Sequence, residues 1–225
     1  GKKLWTEGEE GQPIAIYTAY NELDEARFVV HQIKASFAKG LALSEHAILY
    51  RSNAQSRALE EALLQERIAY RIHGGLRFFE RAEIKDALAY LRLTLNPHDS
   101  SAFERVINTP TRGIGEQTLN KIRNKASDLQ QSLWQACLNL LEENDFTTKV
   151  KASITDFMNL IQSFSEKSNT YRLDSLTELM LEQSGLIEYY KSNRTEQSQT
   201  KVENLEELIS AAKQFNSDQS PEFIL

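Results

Sequence analysis

The spacing of apolar residues along the chain changes near position 74. Before it, short β-branched and aromatic runs at 13–20 (PIAIYTAY), 46–51 (HAILYR) and 69–73 (AYRIH) have the composition of strands. Between the first two, Asn21 precedes an acidic turn of Glu22, Asp24 and Glu25. A stripe of Phe28, Val29, Ile33 and Phe37 follows and Gly40 closes it, the pattern of a capped helix. Leu59, Ala62 and Leu63 place a second helix over 54–65. The order β-α-β-α-β predicts a parallel three-stranded sheet with crossover helices. Beyond Gly74 and Gly75 strand signals fade. Helical spacing then predicts helices over 82–95, 100–106, 116–126, 129–142, 147–166, 173–182 and 200–215, interrupted at Asn96-Pro97, Thr109-Pro110, Gly113, Gly115, Ser168-Asn169 and Gly185. The stretch 192–199 (SNRTEQSQ) reads as a polar loop.

Composition narrows the function without naming it. The 225 residues have ordinary proportions for a folded, soluble chain. No apolar run approaches the ~20 residues that span a bilayer, and the opening GKKLWTEGEEGQP has no signal-peptide core, so the expectation is a cytoplasmic protein without a membrane partner. A lone Cys137 within LWQACLNLL reads as a packed hydrophobe, not a nucleophile. The formal charge of −6 lies within residues 95–225, the preceding stretch being balanced. Broad electrostatic clamping of nucleic acid is thereby disfavoured, and any phosphate contact has to be local.

Three segments could carry such contact. In Ile48-Leu-Tyr-Arg-Ser-Asn-Ala-Gln-Ser-Arg57, Arg51 and Asn53 stand at a predicted strand-to-helix turn, with Ser52, Gln55, Ser56 and Arg57 beside them. Polar and cationic groups at such an edge suit phosphate oxygens, although Ser and Asn are also ordinary caps and Arg57 could pair with Glu60 or Glu61. In 108–118, NTPTRGIGEQT, the Gly113-Ile114-Gly115 step permits a tight turn with outward amides, and Arg112, Lys121, Arg123 and Lys125 form a cationic spot; from spacing alone a plain turn with a solvated basic helix is the better reading. In 70–86, Gly74 and Gly75 are a candidate hinge, and Phe78 and Phe79 suit either base stacking or a core. There is no GxxxxGK[ST] loop, HExxH, CxxC or Ser elbow, and His31, His46, His73 and His98 lack metal-ligand spacing.

AILYRSNAQSRALEEALL (47–64), YRIHGGLRFFERAEIKDALAYLRL (70–93), FERVINTPTRGIGEQTL (103–119) and KVENLEEL (201–208) together resemble the UvrD/Rep/PcrA branch of superfamily 1 DNA helicases over essentially the whole chain. The resemblance implies an internal piece of fold class α/β plus all-α. A partial RecA-like parallel sheet (the start of a 2A domain, 1–73) would be followed by a helical 2B-type insertion (74–225). It implies ATP-driven 3′-to-5′ translocation and duplex unwinding in repair and replication, with the ATP and Mg2+ site held by chain outside this piece, which by itself would bind neither and hydrolyse nothing. Carried over by position, Arg51 and Asn53 match contacts to single-stranded DNA and Gly74 and Gly75 match a swivel. Thr111, Arg112, Gly113, Ile114, Gly115 and Thr118 match a hairpin on duplex DNA, although Thr111 and Gln117 stand where relatives often carry a basic residue. The competing reading is a regulatory module that engages repair proteins and binds little DNA itself.

Overall fold

The computed structural model describes residues 13–73, 75–192 and 195–218, with side chains through 215. Among these residues ten α-helices run in chain order: α1 Glu22–Ala38, α2 Ser56–Gln65, α3 Ala82–Leu95, α4 Ser100–Val106, α5 Glu116–Leu129, α6 Leu133–Glu142, α7 Thr148–Ser168, α8 Leu173–Gln183, α9 Leu186–Lys191 and α10 Glu196–Asp218. Several starts are fixed by side chains that accept orphan amides. The side chain of Asn21 accepts from the Asp24 amide at 2.9 Å, and Asp99, Ser132 and Thr147 do the same for Ala102, Gln135 and Val150. Each such cap is worth about 1 kcal/mol to its helix.

The expected parallel sheet is absent: among the described residues there is no strand at all. Residues 13–20, 46–51 and 69–73 have apolar, β-prone composition, yet no ladder pairs them. Ile14, Ile16 and Leu49 are left more than nine-tenths exposed. Strand composition reports a preference for a pleated, half-buried surface, and it becomes a sheet only when another segment supplies the hydrogen-bonding edge. Here α1 and α2 pack on one another. The segment before α1 is fastened by Tyr17, which stacks on Phe28 at 3.8 Å between centroids and donates its hydroxyl to Asp24. The fold is therefore helical where α/β was expected.

Two further boundaries differ from expectation. The short α9 follows Gly185, whose φ of +77° ends α8 and immediately admits a new helix. Helix α10 begins at Glu196, so the second half of the polar stretch expected as loop, 196–199, is its first turn.

Apolar residues gather in two clusters. The smaller joins α1 and α2 through Ala26, Val30, Ile33, Ala58, Ala62 and Leu63. The larger fills the space between α3 and α10, with Tyr90, Phe103, Phe157 and Phe164 essentially inaccessible. Phe157 sits at its centre, edge-on to Phe103 (centroids 5.7 Å) and Tyr90 (6.4 Å). Helix α10 packs on α3, α8 and α9 and also reaches the 53–55 turn ahead of α2, so it touches both groups of helices. Among the described residues no helix is long and apolar enough to cross a membrane.

Removing the central ring tests this packing. Phe157→Ala is expected to lower unfolding free energy by about 3–5 kcal/mol, as large-to-small changes in full cores do. Urea titration followed by circular dichroism measures it, and a loss below about 1 kcal/mol would contradict the placement.

Candidate functional site

The turn ahead of α2 is built by reciprocal capping. Ser52 Oγ accepts from the Ala54 amide at 3.3 Å, while Gln55 Oε1 accepts from the amides of Arg51 (2.9 Å) and Ser52 (3.0 Å). A single 3-10 turn, Asn53–Gln55, leads into the helix. Locking the backbone this way leaves Arg51, Asn53 and Gln55 exposed. Among the described residues the Arg51 guanidinium has no hydrogen bond or ion pair. It borders a cleft of about 500 Å³ whose walls include Tyr50 and Val29 but also Glu22, Glu25 and Glu207.

The other half of the expected cationic cluster turns inward. Ser56 and Arg57 are 1% exposed. Arg57 donates to Glu61 at 2.8 Å, to Glu207 on α10, and to Gln214 at 3.0 Å. Burial works against its charge, but the hydrogen bond that it donates to Glu207 and the proximity of Glu61 outweigh it and hold the guanidinium above its ordinary pKa. Arg57 is thus a structural ion-pair centre between α2 and α10.

Arg81, just before α3, is a second buried cation that faces the same turn. Its Nη1 donates to the Asn53 carbonyl (2.9 Å) and to Asn204 Oδ1 (2.8 Å), and its Nη2 donates to Ser56 Oγ (2.7 Å). Asn204 on α10 passes the chain on, donating to Glu83 at 2.6 Å, and Ser52 donates to Glu203 at 3.3 Å. Sequence reasoning missed Arg81 and Asn204. A cation at a helix start and an amide in a polar helix both read as solvated, and only the return of α10 buries them.

The 108–118 hairpin is organised by alternation. Asn108 Oδ1 accepts from the amides of Arg112 (2.8 Å) and Ile114 (3.2 Å), drawing those two residues inward. Ile114 is fully buried, whereas Thr111, Gly113 and Gly115 are exposed and Thr118 half-buried. Gly113 has φ +74°, a left-handed conformation that glycine adopts without strain, and Gly115 is the N-cap residue of α5. The Arg112 guanidinium points into the protein. It donates to the carbonyls of Val106, Ile107 and Pro110 at 3.0–3.3 Å and to Tyr90 Oη at 2.6 Å, and lies over the Phe157 ring. Arg112 therefore braces the hairpin from behind and presents no charge at its tip.

The remaining cations of this region are also engaged. Lys121 pairs with Asp145 (2.7 Å), Lys125 with Glu143 (2.6 Å), and Arg123 with Glu104 and Glu116. The hydrogen bond to Glu104, then that to Glu116, raises the Arg123 pKa further. Acid compensates base across the face, and outward main chain is what the hairpin tip offers.

Gly75 is exposed with open space where a side chain would project; Gly74 lies outside the described residues. Phe78 is a core residue and Phe79 is half exposed, the two rings meeting edge to face at 5.1 Å. Among the described residues no cluster of His, Cys, Asp or Glu could hold a metal ion. Cys137 is fully buried, and burial pushes its thiol up to about 12.

With the geometry established, comparison with known proteins identifies the kinship of the chain. Residues 1–223 match the model of the UvrD-like helicase C-terminal domain. The whole chain is 52% identical to DNA helicase II of Escherichia coli strain K12, covering 31% of that protein. It is 49% identical over 215 residues (96% of the chain and 30% of the relative) to DNA helicase II of Haemophilus influenzae. To the ATP-dependent DNA helicase PcrA of Bacillus subtilis it is 38% identical over 218 residues, which is 95% of the chain and 29% of that protein. The chain thus spans about a third of the length of the curated relatives it matches.

A thiol held protonated and enclosed should be inert. In the native protein at pH 8, Cys137 is expected to resist Ellman's reagent over hours and to react within minutes in denaturant. Equal rates in the two conditions would overturn its assignment to the core.

Proposed function

The chain belongs to the UvrD-like helicase family, and on that footing we propose that it is the DNA-contacting portion of an ATP-dependent motor that moves 3′ to 5′ on one strand and unwinds duplex in repair and replication. The relatives named above are DNA helicases, and PcrA is ATP-dependent. In this reading the motor uses ATP and Mg2+ held by other parts of the protein, and this chain, which has no GxxxxGK[ST] sequence, contributes grip and not hydrolysis. The protein works in the cytoplasm.

One observation carries the reading. At the two candidate turns, Arg57, Arg112, Lys121, Arg123 and Lys125 are all committed to internal partners, whereas Arg51 stands exposed and uncommitted beside exposed Asn53. A charge held out by a capped backbone, on a body that is otherwise acidic, is suited to one or a few phosphates of a single strand. The 108–118 hairpin takes the duplex through main-chain groups at Thr111, Gly113 and Gly115 and the Thr118 side chain, with Arg112 and Ile114 as its internal supports. Such contact is blind to base sequence. Gly74 and Gly75 serve as the swivel between the two parts.

The acidic helical body with its neutralised cations also favours a second reading, a regulatory surface for a repair protein. Salt separates the two. Binding to a duplex bearing a 3′ single-stranded tail should weaken steeply with salt if phosphates are held, and protein capture that is indifferent to salt would favour the regulatory surface.

Arg51→Ala is expected to weaken single-strand affinity by ~1.5–3 kcal/mol, the range for a charge-assisted hydrogen bond. Fluorescence anisotropy measures this, and an unchanged constant would remove the assignment. Gly113→Asp adds both a side chain at positive φ and a negative charge, and should weaken duplex binding while sparing single-strand binding. Equal loss of both would count against the hairpin as a duplex contact.

A further inference from the structure

The turn that presents Arg51 and Asn53 is not held by its own helix alone. Three of its groups are gripped from residues far along the chain. The Asn53 carbonyl and the Ser56 hydroxyl both accept from Arg81, and the Ser52 hydroxyl donates to Glu203 on α10. Arg81 is itself oriented by Asn204, which accepts from its Nη1 and donates to Glu83, so the fork is fixed from both sides. Asn204 is 2% exposed and Arg81 8%, which means water does not substitute for either partner. A guanidinium is planar, and bonding two acceptors through Nη1 and a third through Nη2 dictates where those acceptors sit. The Asn53 carbonyl and the Ser56 hydroxyl are therefore placed relative to α10, not merely relative to α2.

We propose that Arg81 and Asn204 are positioning residues for single-strand binding: through the Asn53 carbonyl and Ser56 they fix the turn that aims Arg51, so that the grip on a strand depends on how α10 is seated. The inference rests on the reading of Arg51 and Asn53 as phosphate contacts. Neither Arg81 nor Asn204 touches DNA, since both are enclosed. Arg57, bonded to Glu207 and Gln214, clamps α2 to the same helix one turn further on and keeps the geometry in register.

The test is a double-mutant cycle on the full chain, read as the dissociation constant of a fluorescein-labelled oligothymidylate. Asn204→Ala leaves the net charge unchanged and removes the orienting acceptor. Arg81→Lys also keeps the charge but loses the fork. Each is expected to weaken binding about three- to tenfold, the scale of one or two hydrogen bonds, and in an Arg51→Ala background each should have almost no further effect. A merely structural role would give the same loss in both backgrounds, and that additivity would overturn the proposal. If Arg51→Ala weakens binding and both other variants bind normally, the positioning role fails while the phosphate contact stands. If Arg51→Ala itself has no effect, the contact fails and the inference goes with it. Should Asn204→Ala lose its cooperative thermal melt, Arg81→Lys decides the matter alone.

Discussion

A guanidinium enclosed between two apolar clusters must spend its donors on protein acceptors, and where those acceptors lie settles much else in this fold. Arg81 reaches the Leu76 and Asn53 carbonyls, the Ser56 hydroxyl and the Asn204 amide oxygen. Burial pulls its pKa below the ordinary value, opposed by the nearby carboxylates of Glu60 and Glu83. Leaving one of its donors without a partner costs about 1–3 kcal/mol, so the acceptors are not interchangeable. Their joint placement ties together the start of α3, the turn ahead of α2 and the middle of α10. Glu60 extends the arrangement by accepting from Ser56, Tyr70 and the Phe78 amide. What joins the α1–α2 pair to the larger helical body is in good part this polar seam.

The helices were legible because their signals are local. Asn21 announces its cap three residues before the amide it satisfies, and Val29 and Ile33 follow one helical face, whereas Ser132 caps α6 inside a span expected to be helical from 129. The sheet was misread for the opposite reason. Residues such as Ile14, Ile16 and Leu49 state what an extended segment would favour, but a ladder needs a neighbour, and no pattern inside 13–73 guarantees one. Helix α9 was hidden because Gly185 is both the end of one helix and the threshold of the next.

The candidate site shows the same division. That Arg51, Asn53, Gly113 and Gly115 sit on turns could be read directly, since capping residues and glycines mark turns. The destination of each cation could not. Arg51 and Arg57 are six residues apart in one short motif, yet one is solvated and the other sealed beneath α10, a helix about 150 residues downstream. Arg112, expected as part of a cationic spot with Lys121, Arg123 and Lys125, is the hairpin's internal brace, because Tyr90, Phe157 and the carbonyls of 106–110 are brought behind it by tertiary packing. Ion pairing to Asp145, Glu143 and Glu104 likewise depends on residues 18 or more positions away.

The hairpin's in-and-out alternation has a bearing on how such a surface tolerates genetic drift. Side chains at Arg112 and Ile114 are engaged inside, and Asn108 anchors both of their amides, so these three positions are constrained by stability. Thr111 and Gln117 face solvent and bear none of that load. Exchange at the outer pair leaves the turn's shape intact, and a lineage can retune surface charge there while the framework that shapes the loop stays unaltered.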